Sequence, residues 1–172
     1  MQDKYIKRTA QCGILTALAI VVSTFESLLP IQAVIPLPGL KLGIANIVTV
    51  YALYYIGNKE AFMILLCRCA VVGVLFGNFT SFLFSLCGGV LAFFAMLAMK
   101  KLGEERFSFV GVSIVGAASH NTGQILASCA VLKTTGTLYY LPPLLIASVV
   151  CGAVTGMVLC LLPEPKNLKI KK

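Results

Sequence analysis

"PLPGLKLGIANIVTVYALYYIG", residues 36–57, is the stretch on which the reading of this fold turns. It begins with prolines and glycines, which break helices, and continues as an apolar run from Gly43 to Gly57 with Asn46 one turn in. A helix that crosses a bilayer needs roughly 20 mainly apolar residues. This run is too short, so something must complete the crossing, and the Pro/Gly loop before it is the candidate. A loop enters hydrocarbon only where protein or a water-filled cavity satisfies its backbone. Residues 31–42 are therefore expected to fold back over the outer half of a helical bundle as a lid. Lys41 then sits at the rim of the cavity and Asn46 points inward. The alternative for Lys41 is an ammonium snorkelling to lipid headgroups.

Composition sets the surroundings of that stretch. Of 172 residues, 59% are hydrophobic and only 12% charged, whereas a soluble domain is about a quarter charged and less than half apolar. The chain is expected to be an all-α integral membrane protein forming one membrane domain over 1–172. Apolar segments fall at about 9–29, 43–57, 60–77, 80–99, 109–132 and 138–162. Turn chemistry separates them: Gly57-Asn58, Gly77-Asn78, the stretch Lys100 to Arg106 and the stretch Lys133 to Gly136. Pro142 and Pro143 fall in the first turns of the last helix, where proline is tolerated. The first segment runs about ten residues past its signal-peptide-like Ala17-Leu18-Ala19, so it reads as a retained helix.

Lysine and arginine placement orients the bundle. With the N-terminus inside, eleven of the fourteen fall on the cytoplasmic side, Lys41 and Lys133 fall outside, and Arg68 lies within the membrane. Six spans then put both termini in the cytoplasm. The basic tail 163–172 lies on anionic headgroups or binds a partner. The net charge of +8 does not indicate nucleic acid, because the basic residues mark segment ends and no basic patch is interleaved with aromatics.

Several chemistries are excluded. The seven cysteines are odd in number, lie in apolar surroundings and contain no C-x-x-C, so they read as small buried hydrophobes rather than metal ligands. Asp3 is the sole aspartate. No P-loop, G-x-S-x-G, H-E-x-x-H or paired carboxylate is present, and no aspartate-rich cluster can gather magnesium around a diphosphate. No catalytic residue is assigned.

Polar side chains at bilayer depth are costly and tend to face a cavity or one another. Arg68, near the middle of the third helix, stays charged; it pairs with Glu26 on the first helix, binds an anion, or does both. His120 and Gln124 are four residues apart on one helix face, with Asn121 beside them. Ser113, Gly116, His120, Gln124 and Ser128 form a small or polar stripe that either packs against a helix through hydrogen bonds or lines a pocket. Asn78 is either a helix cap or a donor at the mouth of the site. Lys41, Asn46, Arg68, Asn78, His120, Asn121 and Gln124 are the candidate ligand-binding set. Small-residue seams on the first helix (Thr9, Gly13, Ala17) and the sixth (Gly152, Gly156) permit close helix approach.

Four blocks carry a resemblance: "PLPGLKLGIANIVTVYALY", "LFGNFTSFLFSLCGG", "GVSIVGAASHNTGQ" and "YYLPPLLIASVVCGAVTG". Together, over about residues 8–160, they resemble the Gx transporter family, also catalogued as heptaprenyl diphosphate synthase component I. That family is similar to the S components of energy-coupling factor transporters, six-helix proteins that bind a vitamin-like solute from outside and dock on a coupling protein with two ATPases. The resemblance implies that the loop 30–42 caps the site and that Gly13 and Ala17 contact a coupling protein. It also implies two alternatives: a non-catalytic membrane subunit of a soluble prenyl synthase, or a component of quinone- or flavin-linked electron transfer with one of those as ligand. The function expected first is capture of a small anionic or amphipathic ligand from outside.

Overall fold

The computed structural model describes residues 2–28, 41–76, 79–103 and 106–162. They form α1 (Gln2–Leu28), α2 (Asn46–Tyr55), α3 (Asn58–Phe76), α4 (Phe79–Leu102), α5 (Phe109–Leu132) and α6 (Leu141–Leu161), with a 3-10 turn over Gly136–Tyr140 before α6. All six apolar segments are helical. Their limits move where capping decides them. The Ser108 hydroxyl accepts from the Gly111 amide at 3.1 Å and starts α5. Lys133, in the left-handed region at φ 51°, ends it. The first helix begins earlier than the apolar run, taking the polar residues from Gln2 into its first turns.

Three stretches are long and apolar enough to cross a membrane: Tyr5–Leu28, Phe79–Leu102 and Gly136–Leu161. The side chains are distributed inside out relative to a soluble bundle. Val74 is 84% exposed and Ile146 69%, while Arg68 and His120 are each 1% exposed. An apolar exterior over an interior that mixes an apolar core with buried polar side chains is the arrangement a lipid environment favours, and the chain is a membrane protein.

The helices are arranged as an arc. α1 packs on α3, α3 on α4, α4 on α5 and α5 on α6, while α2 touches every other helix from the centre. Among the described residues α1 and α6 do not pack on each other. The α5–α6 seam is the tightest. A Cβ on Gly152 would run into the α5 backbone at Ile114, and one on Gly156 into that at Val110. The G-x-x-x-G spacing thus lets the two backbones touch. Apolar packing gathers around α2, with Val48, Val50, Ala52 and Leu53 against Ile64, Leu65, Phe93 and Met96.

With ten residues, α2 rises about 15 Å, half of a hydrocarbon core. Both of its ends are matched to its dipole. At the amino end, Glu26 accepts from the amides of Gly43 and Ile44. At the carboxyl end, Lys100 donates to the Leu53 carbonyl at 2.6 Å and Arg8 to the Ile56 carbonyl at 2.8 Å. An anion at the first turn and cations at the last are each favourable by about 0.3–1 kcal/mol in exposed cases and more when buried. Arg8 also pairs with Glu60 at 2.9 Å, so α1, α2, α3 and α4 meet at one basic end of the bundle.

Candidate functional site

The site is built where the chain approaches α2. Gln124 holds the Lys41 peptide from both sides: its Oε1 accepts from the Lys41 amide at 2.9 Å and its Nε2 donates to the Lys41 carbonyl at 3.0 Å. Gln124 lies eight residues before the end of α5, about 12 Å below that end. Residues 41–45 therefore dip well into the bundle, and the side chains there satisfy their backbone, as a non-helical segment at depth requires. Gly43 makes the turn possible at φ +84°, a conformation side-chain-bearing residues rarely adopt. A Cβ at Gly43 would meet Asn46 Nδ2 at 3.2 Å and His120 Cδ2 at 3.3 Å, so the amide of Asn46 and the imidazole of His120 face each other across it.

Arg68 enters from α3. Its Nη1 donates to Ser23 Oγ at 3.2 Å; Nε and Nη2 have no protein partner. Gly89 on α4 leaves room beside Nη2, where a Cβ would lie at 3.4 Å. Ser23 and Glu26 are three apart on α1 and share a face, so one helix face serves both Arg68 and the amino end of α2. Lys41 is buried within electrostatic reach of Glu26 and Arg68, and His120 within reach of Arg68 and Lys41.

The polar atoms at this level are incompletely used. Glu26 Oε2, both amide atoms of Asn46, Thr49 Oγ1, Arg68 Nε and Nη2, and both ring nitrogens of His120 are buried without a hydrogen-bond partner in the protein. The Gly88 carbonyl lies near the imidazole, yet not in hydrogen-bonding geometry. A buried polar atom left unpaired costs about 1–3 kcal/mol. So many of them on α1, α2, α3 and α5, with Glu26, Lys41, Arg68 and His120 within electrostatic reach of one another, mark a place where a polar guest or water is to be expected.

Six sequence-predicted residues meet here: Glu26, Lys41, Asn46, Arg68, His120 and Gln124. Their roles differ from expectation in three respects. Glu26 and Arg68 make no direct ion pair. The carboxylate is taken by the Gly43 and Ile44 amides and the guanidinium by Ser23. Gln124 is spent on the Lys41 backbone and is a positioning residue. Asn121 turns away, because one residue past His120 is about 100° around the helix; its Nδ2 donates to the Leu144 carbonyl at 3.2 Å and to Ser148 Oγ at 2.8 Å, tying α5 to α6.

The α5 stripe divides likewise. Gly116 packs on Met96, and Ser128 bonds the Ile125 carbonyl of its own helix, leaving His120 and Gln124 for the site. Asn78 and lid residues 30–40 lie outside the described residues. Gly13 and Ala17 are exposed on α1. Gly13 borders a groove of about 370 Å³ between α1 and α3, with Thr9, Cys12, Thr16 and Glu60.

Ser23, Gly43 and Thr49 were missed in the sequence. Ser23 and Thr49 were findable, since each lies three residues from a residue already singled out. Gly43 required knowledge of the backbone angle.

Comparison with curated proteins found no match, and comparison with solved structures found none. One family model does match, over residues 15–162, a stretch that holds every residue of the site. By that match the chain belongs to the family of heptaprenyl diphosphate synthase component I.

Proposed function

We propose that the chain is a non-catalytic, six-span component of a bacterial plasma membrane that captures a small anionic or amphipathic ligand from the outer side. One observation carries this reading: buried polar atoms of Glu26, Asn46, Arg68 and His120 without protein partners gather beneath the residues that lead into α2. Both termini lie in the cytoplasm, together with the basic end formed by Arg8, Glu60 and Lys100. Arg68 meets the anionic group, Asn46 and His120 fix orientation, and Glu26 and Gln124 hold residues 41–44 beside it. The chain has no energy source of its own, so movement of the ligand across the membrane needs a partner, which docks on the α1 face bearing Gly13 and Ala17.

A second reading draws on the family description. In it the chain is the membrane subunit of a heptaprenyl diphosphate synthase and associates with a separate, aspartate-rich catalytic chain. The two readings separate in one experiment. The protein is purified in mild detergent, and co-purified proteins and small molecules are identified by mass spectrometry. An ATPase pair and a small ligand that is lost in Asn46→Leu and His120→Leu support capture. A prenyl synthase with no small ligand supports the second reading. Purified protein that carries no small molecule, and is indifferent to Asn46→Leu, ends the first.

A further inference from the structure

The guanidinium of Arg68 is held in a particular way. Its Nη1 is fixed by Ser23, and the two nitrogens without a protein partner are Nε and Nη2. These lie on the same edge of the planar group and present two parallel N–H donors, the fork that matches two oxygens of one oxyanion. Ser23 thus holds Arg68 so that its bidentate edge, rather than a single donor, is left without a protein partner, with Nη2 beside Gly89 of α4. Gly89 has no side chain to crowd that edge.

Charge selects among oxyanions. Glu26, the acidic residue at this level, already neutralises the amino end of α2 through the Gly43 and Ile44 amides. Arg68 keeps its charge, and it and Lys41 are both nine-tenths or more buried. Counting Lys41 and Glu26 in their ionised forms and His120 as neutral imidazole, the described residues of the site sum to one positive charge in excess. Residues 29–40, which lead into it, contain no ionisable side chain. A guest bearing one negative charge balances this inventory. A multiply charged diphosphate overshoots it and leaves uncompensated charge in a low-dielectric interior, where each such charge costs several kcal/mol.

We infer that the ligand of this site is a monoanion with a carboxylate-like pair of oxygens, seated on the Nε/Nη2 edge of Arg68, and that a diphosphate is excluded. This rests on the capture reading above and narrows its ligand class. Neutral donors and acceptors on the guest meet the amide of Asn46 and the imidazole of His120 at the far side of Gly43.

The sequence contains three arginines, Arg8, Arg68 and Arg106, so arginine-selective ¹⁵N labelling gives a side-chain spectrum of three Nε–H signals. The full chain in detergent is titrated with sodium acetate, sodium benzoate and sodium pyrophosphate at constant ionic strength, and Arg68→Lys assigns the signal. The expected result is a saturable downfield shift of the Arg68 signal with at least one carboxylate, none with pyrophosphate, and Arg8 and Arg106 unmoved. Ser23→Ala, a milder change than Arg68→Lys, should weaken carboxylate binding about threefold to tenfold, the loss of one modest hydrogen bond. An Arg68 signal indifferent to both carboxylates, or one that answers pyrophosphate as strongly, overturns the inference. If Arg68 stays silent while a neutral compound co-purifies and is lost in His120→Leu, the charge class is wrong and the capture reading survives. If nothing co-purifies either, both fall.

Discussion

Gln124→Leu is the substitution whose consequence follows most directly from the geometry. The wild-type amide makes two hydrogen bonds to the backbone of one residue, accepting from the Lys41 nitrogen at 2.9 Å and donating to its carbonyl at 3.0 Å. Leucine is of similar size, so packing at a fully buried position changes little while both bonds disappear. Two buried backbone groups lose their partners, at about 1–3 kcal/mol each. The two bonds share one side chain, so the joint cost is about 2–5 kcal/mol. Glu26 still holds Gly43 and Ile44, so the helices stay folded and the cost falls on the segment. Residues 41–45 should open locally more often, by between about thirtyfold and a few thousandfold at 1.4 kcal/mol per decade. Hydrogen–deuterium exchange on peptides spanning 36–48 reads this directly, with α5–α6 peptides as controls. Gln124→Glu keeps the acceptor and loses the donor, so its effect should be intermediate. Exchange of 41–45 that is unchanged in Gln124→Leu would falsify the view that this side chain anchors the segment.

Other substitutions probe separate parts of the argument. Gly43→Ala forces a side chain into the left-handed region, at about 1–2 kcal/mol, and presses on Asn46 and His120; ligand retention measured by mass spectrometry should fall by tenfold or more while the thermal transition moves only a few degrees. Gly156→Leu drives a side chain into the α5 backbone at Val110 and should lower the melting temperature in detergent sharply, a stable variant being the contrary outcome. Arg68→Leu should abolish binding of an anionic ligand and leave the helical circular dichroism intact; undiminished affinity contradicts the role given to Arg68.

The legible part of this molecule was the part set by solvent. Apolar runs and turn residues located all six helices, because a chain that is 59% hydrophobic has few other ways to satisfy its backbone in lipid. Rarity made Arg68, His120 and Glu26 visible, since each is expensive at depth and so had to be explained. What one sequence could not reveal was who partners whom. Glu26 and Arg68 look like a natural ion pair by charge alone. The structure gives each a different partner, because the amino end of a buried half-length helix also needs an anion. Asn121 and Gln124 look equivalent by residue type. Helical phase sends one to α6 and the other to Lys41.

The role of Glu26 has a consequence for function. A Glu26 carboxylate paired with Arg68 would occupy the bidentate edge of that guanidinium and leave Lys41 alone to meet a guest. Here the carboxylate serves the turn that leads into α2: it accepts from the Gly43 and Ile44 amides, while the first amides of the helix itself, those of Asn46, Ile47 and Val48, donate to the Gly43, Ile44 and Ala45 carbonyls. Because α2 is too short to span, its positive end lies inside the bundle, and stabilising that end occupies Glu26. The turn into the half-length helix is thus the reason that Arg68 has no carboxylate partner. Glu26→Gln tests this link. It keeps an acceptor for the two amides but removes the negative charge, leaving two excess cations where there was one. Benzoate binding should then tighten, or a second anion should be recruited, with the α2 segment still protected from exchange. Weaker benzoate binding with unaltered exchange would mean that Glu26 contacts the guest itself.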